Sequence, residues 1–170
     1  MDIQLLDKET LKVKSKHSTL VINPTSSMSK TEADATVFLS EKSPNYKVEG
    51  ARVSIKGPGE YEVGGIKVTG LRVEGENVFS FDVDGVKVLV GKISAVAKII
   101  DKIPEVEVVI LDVDEQNDSL LTKIEPRVLI FYGEGKEDLL KKLGKTSSSV
   151  SKYSTNLEKL PEEMEVINLG

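Results

Sequence analysis

Two groups of side chains in this 170-residue sequence are of types that could do chemistry. The first is the acidic run Asp112-Val-Asp-Glu-Gln-Asn-Asp118. Its Asp112, Asp114 and Glu115 offer oxygen donors, which suit hard cations such as Mg²⁺ or Ca²⁺. The run lacks the glycine and the closing glutamate of a calcium loop, and a solvated acidic loop at a strand end accounts for it as well. The second is His17, followed by Ser18. Nucleophilic chemistry by His17 with Ser18 or Ser43 would need an orienting carboxylate. The simpler expectation is an imidazole on an apolar strand, satisfied by a backbone carbonyl. His17 is the one histidine, and there is no cysteine. Zinc sites are built mainly from imidazole and thiolate, so the composition withholds their usual donors.

The elements that would position these residues fall into two halves. The first is rich in β-branched residues separated by Gly, Asp and Asn. Residues 11–23 alternate for most of their length, with Leu11, Val13 and Ser15 on one side and Lys12, Lys14 and Lys16 on the other. Such alternation predicts a half-buried strand, its lysines a solvated or edge-protecting face. Residues 36–40 and 52–55 read as short strands. Gly64-Gly65 joins strands at 60–63 and 66–73, and Asp84-Gly85 joins 77–83 to 86–90, because two-residue hairpin turns demand positive φ. The glycines of Gly57-Pro-Gly-Glu-Tyr-Glu-Val-Gly-Gly65 are turn residues on this reading, since the segment departs from the phosphate-loop pattern.

The second half alternates strands with helices. Ser94 is a candidate N-cap for a helix carrying Val96, Ile99, Ile100 and Ile103 up to Pro104. Strands are expected at 106–113, 127–132 and 163–169, with helices at 118–124 and 136–143 between them and a mobile Ser-rich loop at 146–151. Hairpins followed by strand–helix repeats, in one domain spanning 1–170, predict two packed sheets with helices outside.

Composition narrows the function classes. Apolar residues make up 39% and charged residues 30%, with a formal net charge of −5. That balance speaks against a nucleic-acid partner, whose footprint would be basic and clustered. No stretch approaches a membrane span, and no leader pattern opens the chain, so the expected location is the cytoplasm.

Several segments resemble the metallo-β-lactamase-fold hydrolases, in particular the compact branch related to L-ascorbate-6-phosphate lactonases. The most specific is Gly57-Pro-Gly-Glu-Tyr-Glu-Val-Gly-Gly-Ile-Lys-Val-Thr-Gly70. With it go His17-Ser-Thr-Leu-Val-Ile22 and Asn23-Pro24, the pair of strands from Val78 to Val90, Lys123-Ile-Glu-Pro-Arg-Val-Leu-Ile130 and Leu160-Pro-Glu-Glu-Met-Glu-Val-Ile167. The resemblance implies an α/β (α+β) fold, a four-layer αββα sandwich in a compact version. It also implies a zinc site whose ligands follow the strand at 36–40 as Ser-His-x-His-x-Asp-His. Here Ser40-Glu-Lys-Ser-Pro-Asn-Tyr46 stands instead, so Glu41, Ser43, Asn45 and Tyr46 occupy ligand positions. Lys92 stands near the place of the metal-bridging carboxylate, and Tyr132 near that of the last histidine. A lysine there would repel a cation.

The resemblance therefore implies a degenerate member that has kept the scaffold, with no catalytic residue, metal or other cofactor expected. Its role would be to bind a small ligand or a protein partner, self-association as a homodimer included. Tyr46, Tyr132 and Lys92 would fill the old cleft, with a Glu41–Lys92 ion pair expected and His17, Asp112 and Asp114 as candidate pocket residues. The alternative is a metal-dependent hydrolase with a relocated, oxygen-only site using Glu41, Asp112 or Asp114.

Overall fold

The computed structural model describes residues 1–41, 46–144 and 148–170. In chain order the first part gives β1 (Asp2–Leu5), β2 (Leu11–Lys14), β3 (Thr19–Ile22), β4 (Thr31–Glu32), β5 (Ala35–Val37), β6 (Val48–Glu49) and β7 (Val53–Ile55). Next come β8 (Gly59–Val63), β9 (Ile66–Val73), β10 (Glu76–Val83) and β11 (Val86–Lys92). The remainder runs α1 (Ile93–Val96), β12 (Val108–Asp112), α2 (Asp118–Leu121), β13 (Val128–Tyr132), α3 (Lys136–Lys142), β14 (Lys152–Ser154) and β15 (Glu165–Asn168).

Among the described residues two large sheets form, in the strand orders β14-β1-β2-β3-β5-β7 and β15-β13-β12-β11-β10-β9-β8, with β4 and β6 as a separate pair. β8 to β11 are antiparallel and joined by tight turns, whereas β11, β12, β13 and β15 are parallel. Both turns expected from glycine carry the required positive φ, at Gly64 and Gly65 and at Asp84 and Gly85. Parallel neighbours need crossovers, and α1, α2 and α3 lie in those crossovers on the outer face of the second sheet.

Strand periodicity sorts the side chains into layers. Val88, Val90, Val108, Ile110, Val128 and Ile130 face the first sheet and pack with Ile3, Leu20, Ile22, Val37 and Phe79 in the intersheet core. Their neighbours Leu89, Val109, Leu111, Leu129 and Phe131 face the other way, against Val96, Leu120 and Leu139 of the helices. The outer face of the first sheet is covered more thinly, by Met28 and Ala33 over Val21, with the short β4–β6 ladder beside them. The two sheets are also tied at one edge, where Tyr153 Oη of β14 donates to Glu165 of β15 at 3.0 Å. No helix among the described residues is long and apolar enough to cross a membrane.

Several elements differ from the sequence reading. Residues 11–23 form two antiparallel strands, because Ser15 Oγ accepts the amide hydrogens of His17 and Ser18 and closes a turn between them. The helix expected from Ser94 to Ile103 ends at Val96 and resumes as a single 3-10 turn at Ile100–Lys102. Its β-branched residues favour docking on the sheet over helical continuity, and Ser94 is drawn to Asp114, leaving the N-cap to Lys92. β1 and β14, absent from the sequence reading, pair with each other and build one edge of the first sheet. Residues 146 and 147 of the loop expected at 146–151 lie outside the described residues, while Val150 bridges to Leu169.

Candidate functional site

The register of the second sheet aligns polar residues that lie far apart in sequence. Lys92 pairs with Asp112 across β11 and β12, and Asp112 pairs with Tyr132 across β12 and β13. On the antiparallel side Arg72 pairs with Asn77. The Phe79–Val90 pair, continued two residues outward on each strand, brings Asn77 level with Lys92. Arg72, Asn77, Lys92, Asp112 and Tyr132 thus form one row across the strand ends. Because Phe79, Val90, Ile110 and Ile130 face the intersheet core, residues two positions on share that side. The row sits at the carboxyl ends of three parallel strands, the usual place for a ligand crevice in such sheets.

Each member of the row is held differently. Asn77 is fully buried; its Nδ2 donates to the Phe38 carbonyl at 2.8 Å and the Lys56 carbonyl at 3.2 Å, and its Oδ1 accepts from Arg72 Nε at 3.2 Å. Arg72 also donates to Glu41 Oε1 at 3.0 Å and to the Lys56 carbonyl. Lys92 Nζ lies 2.9 Å from Glu76 Oε1. The expected Glu41–Lys92 pair is therefore replaced by two others, Glu41 with Arg72 and Glu76 with Lys92. The antiparallel pairing of β10 and β11 puts Glu76 within reach of Lys92, while Glu41 falls at the β9 end of the row.

Tyr132 has no exposed surface, packs in the intersheet core, and its hydroxyl has no hydrogen-bond partner among the described residues. Burial pushes this phenol well above its ordinary pKa, and the carboxylates of Asp112, Glu9 and Asp114 push in the same direction. It is neutral at all ordinary pH. Asp114 accepts from the Ser94 amide and hydroxyl. Gly133, at φ 93°, turns the chain directly over Asp112; a Cβ there would lie 2.4 Å from Asp112 Oδ1.

Above the row opens a cleft of about 390 Å³, walled by Glu9 of the β1–β2 turn, by Lys92, Asp112 and Asp114, and by residues 133–135 after β13. Of the residues singled out from sequence, Lys92, Asp112 and Asp114 come together here, while Tyr132, beside Asp112 in the row, turns into the intersheet core and does not line the cleft. Glu41 stands at the other end of the row. Tyr46 lies against Phe38, with ring centroids 5.8 Å apart. Ser43 and Asn45 lie outside the described residues. His17 is exposed on the β2–β3 turn, where Ser18 Oγ donates to the Val63 carbonyl and Lys16 N to Asp84. That turn adjoins the start of β11, whereas Lys92 ends it, roughly 20 Å away at the rise of an extended strand. Glu9, Glu76 and Asn77 were missed from sequence; their roles arise from strand register and a neighbouring turn, for which the local sequence carries no signal.

Among the described residues, no three His, Cys, Asp or Glu side chains are grouped to hold a metal. Zinc asks for three or four donors at about 2.0–2.3 Å, and the row instead presents an ammonium beside Asp112 and a core-packed phenol. Of the residues named for an oxygen-only site, Asp112 and Asp114 line the cleft together, and Glu41 is held by Arg72 at the other end of the row.

Two phenols, Tyr132 fully buried and Tyr153 half-buried, carry a pH signature. Tyr153 is raised to about 12 from 10.0 by burial and by its bond to Glu165. Unfolded tyrosine ionises near 10 while these two resist, so above that value protons leave the unfolded chain first. Stability is expected to fall as pH rises from 10 toward 12, and Tyr153→Phe to remove no more than about 1 kcal/mol of that fall, because solvent screens this half-exposed hydroxyl. Urea unfolding at pH 8, 10 and 11.5, read by circular dichroism, checks it; a variant with the same slope as the parent would contradict it.

No protein-family model matches the chain, and no curated protein matches it. Solved structures do. A Thermotoga maritima protein provisionally described as a zinc-dependent hydrolase of the metallo-β-lactamase superfamily superposes with a TM-score of 0.78 at 19% identity, over 99% of this chain and 98% of its own. A Parabacteroides distasonis protein provisionally described as a metal-dependent hydrolase gives 0.64 at 11% identity, over 99% and 93%. The metallo-β-lactamase fold protein YhfI of Bacillus subtilis gives 0.60 at 7% identity, over 99% and 96%. At such identities the likeness speaks to the fold, and the chain has the metallo-β-lactamase fold.

Proposed function

We propose that this chain is a metal-free member of the hydrolase-like proteins that share this fold, acting by binding a ligand in the cleft above the row. The observation that carries the reading is the Lys92–Asp112–Tyr132 register at the carboxyl ends of β11, β12 and β13. The resemblance places metal ligands near two of these positions, and here they hold an ammonium paired with Glu76 and a buried phenol. Segment 57–70 aligns the chain with the branch related to L-ascorbate-6-phosphate lactonases, and we read it as a degenerate member of that branch. A fold of this kind hosts many activities, so the site and not the scaffold decides what is bound.

Protein purified from zinc-supplemented medium is expected to hold less than roughly a tenth of an equivalent of zinc, and to give no saturable heat on zinc titration. Elemental mass spectrometry with calorimetry measures both. Stoichiometric zinc would overturn the reading in favour of a working metal site.

A further inference from the structure

The two sheets are tied at one side of the sandwich and open at the other. On the tied side Tyr153 of β14 meets Glu165 of β15. On the open side β7 ends the first sheet and β8 the second, and among the described residues no strand lies beyond either. Residues 56–58 join these two strands, so both open edges lie together. They run in opposite directions. The carbonyl of Lys56, just after β7, accepts from Arg72 and Asn77 at the row, whereas that of Val63, ending β8, accepts from Ser18 at the far end.

The backbone groups left free on these edges follow from the pairing already made. Phe38 N donates to the Ile55 carbonyl, so Ile55 turns toward β5 and Ser54 away from it. Val63 and Ile66 flank a two-residue turn and form a hydrogen-bonded pair, which leaves Glu60 and Glu62 turned away from β9. An open edge of this kind is a template for another strand. The charges differ between the two edges. Arg52 and Lys56 flank β7 and Glu60 and Glu62 lie on β8, all exposed and without an ion pair among the described residues. Charge on an edge ordinarily prevents pairing, and it does so here for like with like. β7 against β7, centred on Ser54, would set Arg52 opposite Lys56; β8 against β8, centred on Tyr61, would set Glu60 opposite Glu62. A basic edge beside an acidic one leaves the crossed pairing open.

We propose that the chain pairs with a second copy of itself through these edges, β7 of each protomer adding antiparallel to β8 of the other about a twofold axis along the strands. One register satisfies backbone, charge and packing together. It sets Ser54 opposite the partner's Glu62, each with amide and carbonyl free to exchange, and Lys56 opposite the partner's Glu60. These side chains share the outer face. There Lys56, whose Nζ lies 5.6 Å from the centroid of the Phe38 ring, meets a carboxylate. Ser54 Oγ accepts from Thr36 at 3.2 Å and so has its own hydrogen to give to the partner's Glu62. On the inner face the same register lays Val53 beside the partner's Val63 and Ile55 beside the partner's Tyr61. Val53 is 38% exposed in the single chain, and this contact covers it. The interface is isologous, so every contact occurs twice. It is separate from the cleft at the ends of β11, β12 and β13 and independent of the ligand reading above.

The experiment is sedimentation velocity of the full chain from about 5 to 500 μM, with amide hydrogen exchange at both ends of that range. A monomer–dimer equilibrium is expected, the amides of Ser54 and Glu62 exchanging freely in dilute solution and becoming protected in concentrated solution. Lys56→Glu and Glu60→Lys should each weaken the dimer by about tenfold or more, and the two together should return it to within about threefold of the parent. Both side chains are exposed, and circular dichroism checks that the variants keep the native fold. A chain still monomeric at the highest concentration would overturn the inference, as would a dimer whose Ser54 and Glu62 amides stay unprotected. Strengthening by Glu60→Lys alone would assign the contact to β8 against β8, and strengthening by Lys56→Glu alone to β7 against β7; either result excludes the crossed arrangement. A double variant as weak as the single ones would also overturn it, because Lys56 and Glu60 would then not face each other.

Discussion

Tyr132→Ala is expected to lower the unfolding free energy by about 3–5 kcal/mol, and Tyr132→Phe to raise it by about 1 kcal/mol. The opposite signs come from the two ends of one side chain. The ring is fully buried among apolar residues of both sheets, so its removal loses transfer energy and leaves a cavity that the sheets can only partly close. The hydroxyl is buried without a partner among the described residues, and deleting it relieves a desolvation cost while preserving the shape of the ring. Urea denaturation of the three proteins, fitted with a common slope, decides it. A Tyr132→Phe variant less stable than the parent by more than about 1 kcal/mol would mean that the hydroxyl is well bonded in the native protein.

Asn77→Ala should cost about 3 kcal/mol. Asn77, fully buried, joins both sheets through several bonds at once. It ties β10 to the carbonyls of Phe38 and Lys56, which flank β5 and β7, and it orients Arg72. Truncation leaves the buried Phe38 carbonyl without this donor and frees the Arg72 guanidinium that holds Glu41. At about 1 kcal/mol per lost bond, plus the penalty for a stranded carbonyl, the loss is large for an uncharged residue. Thermal unfolding gives the loss of stability, and amide exchange at Leu39 and Glu41 should rise above the rest of the first sheet. A cost below about 1 kcal/mol, or exchange that rises uniformly, would show that the strands hold this end without Asn77.

These two residues also show where sequence reasoning stopped. The strands from 59 to 92 were legible because glycine at Gly65 and Gly85 marks turns that few other residues tolerate, and because alternation between them assigns faces. The apolar strands at 108–112 and 128–132 were legible for a related reason: Val-Val-Ile-Leu and Val-Leu-Ile-Phe are buried on both faces, as parallel strands covered by helices must be. Residues 11–23 misled because alternation continues through the serine turn on both sides, and a period of two does not report a reversal of direction. His17 was placed on a strand for that reason and lies on the turn.

Lys92 and Tyr132 could be named from sequence as replacements for metal ligands because they end strands in a recognisable pattern. Their partners could not. Which residue meets Lys92 depends on how β10 registers against β11, a question settled by packing over the whole sheet. The sequence by itself determined which side chains are missing from this protein: it has one imidazole and no thiol, and no folding can supply more. It also determined the strand faces and most turns, since these follow from local periodicity and from backbone sterics. Only the tertiary structure decided that Glu76 and not Glu41 holds Lys92, that Tyr132 is buried in the intersheet core, and that His17 stands at the far end of the sandwich. Those are contacts between residues distant in the chain, and they exist because two twisted sheets must pack their apolar faces together before any of the row's members can meet.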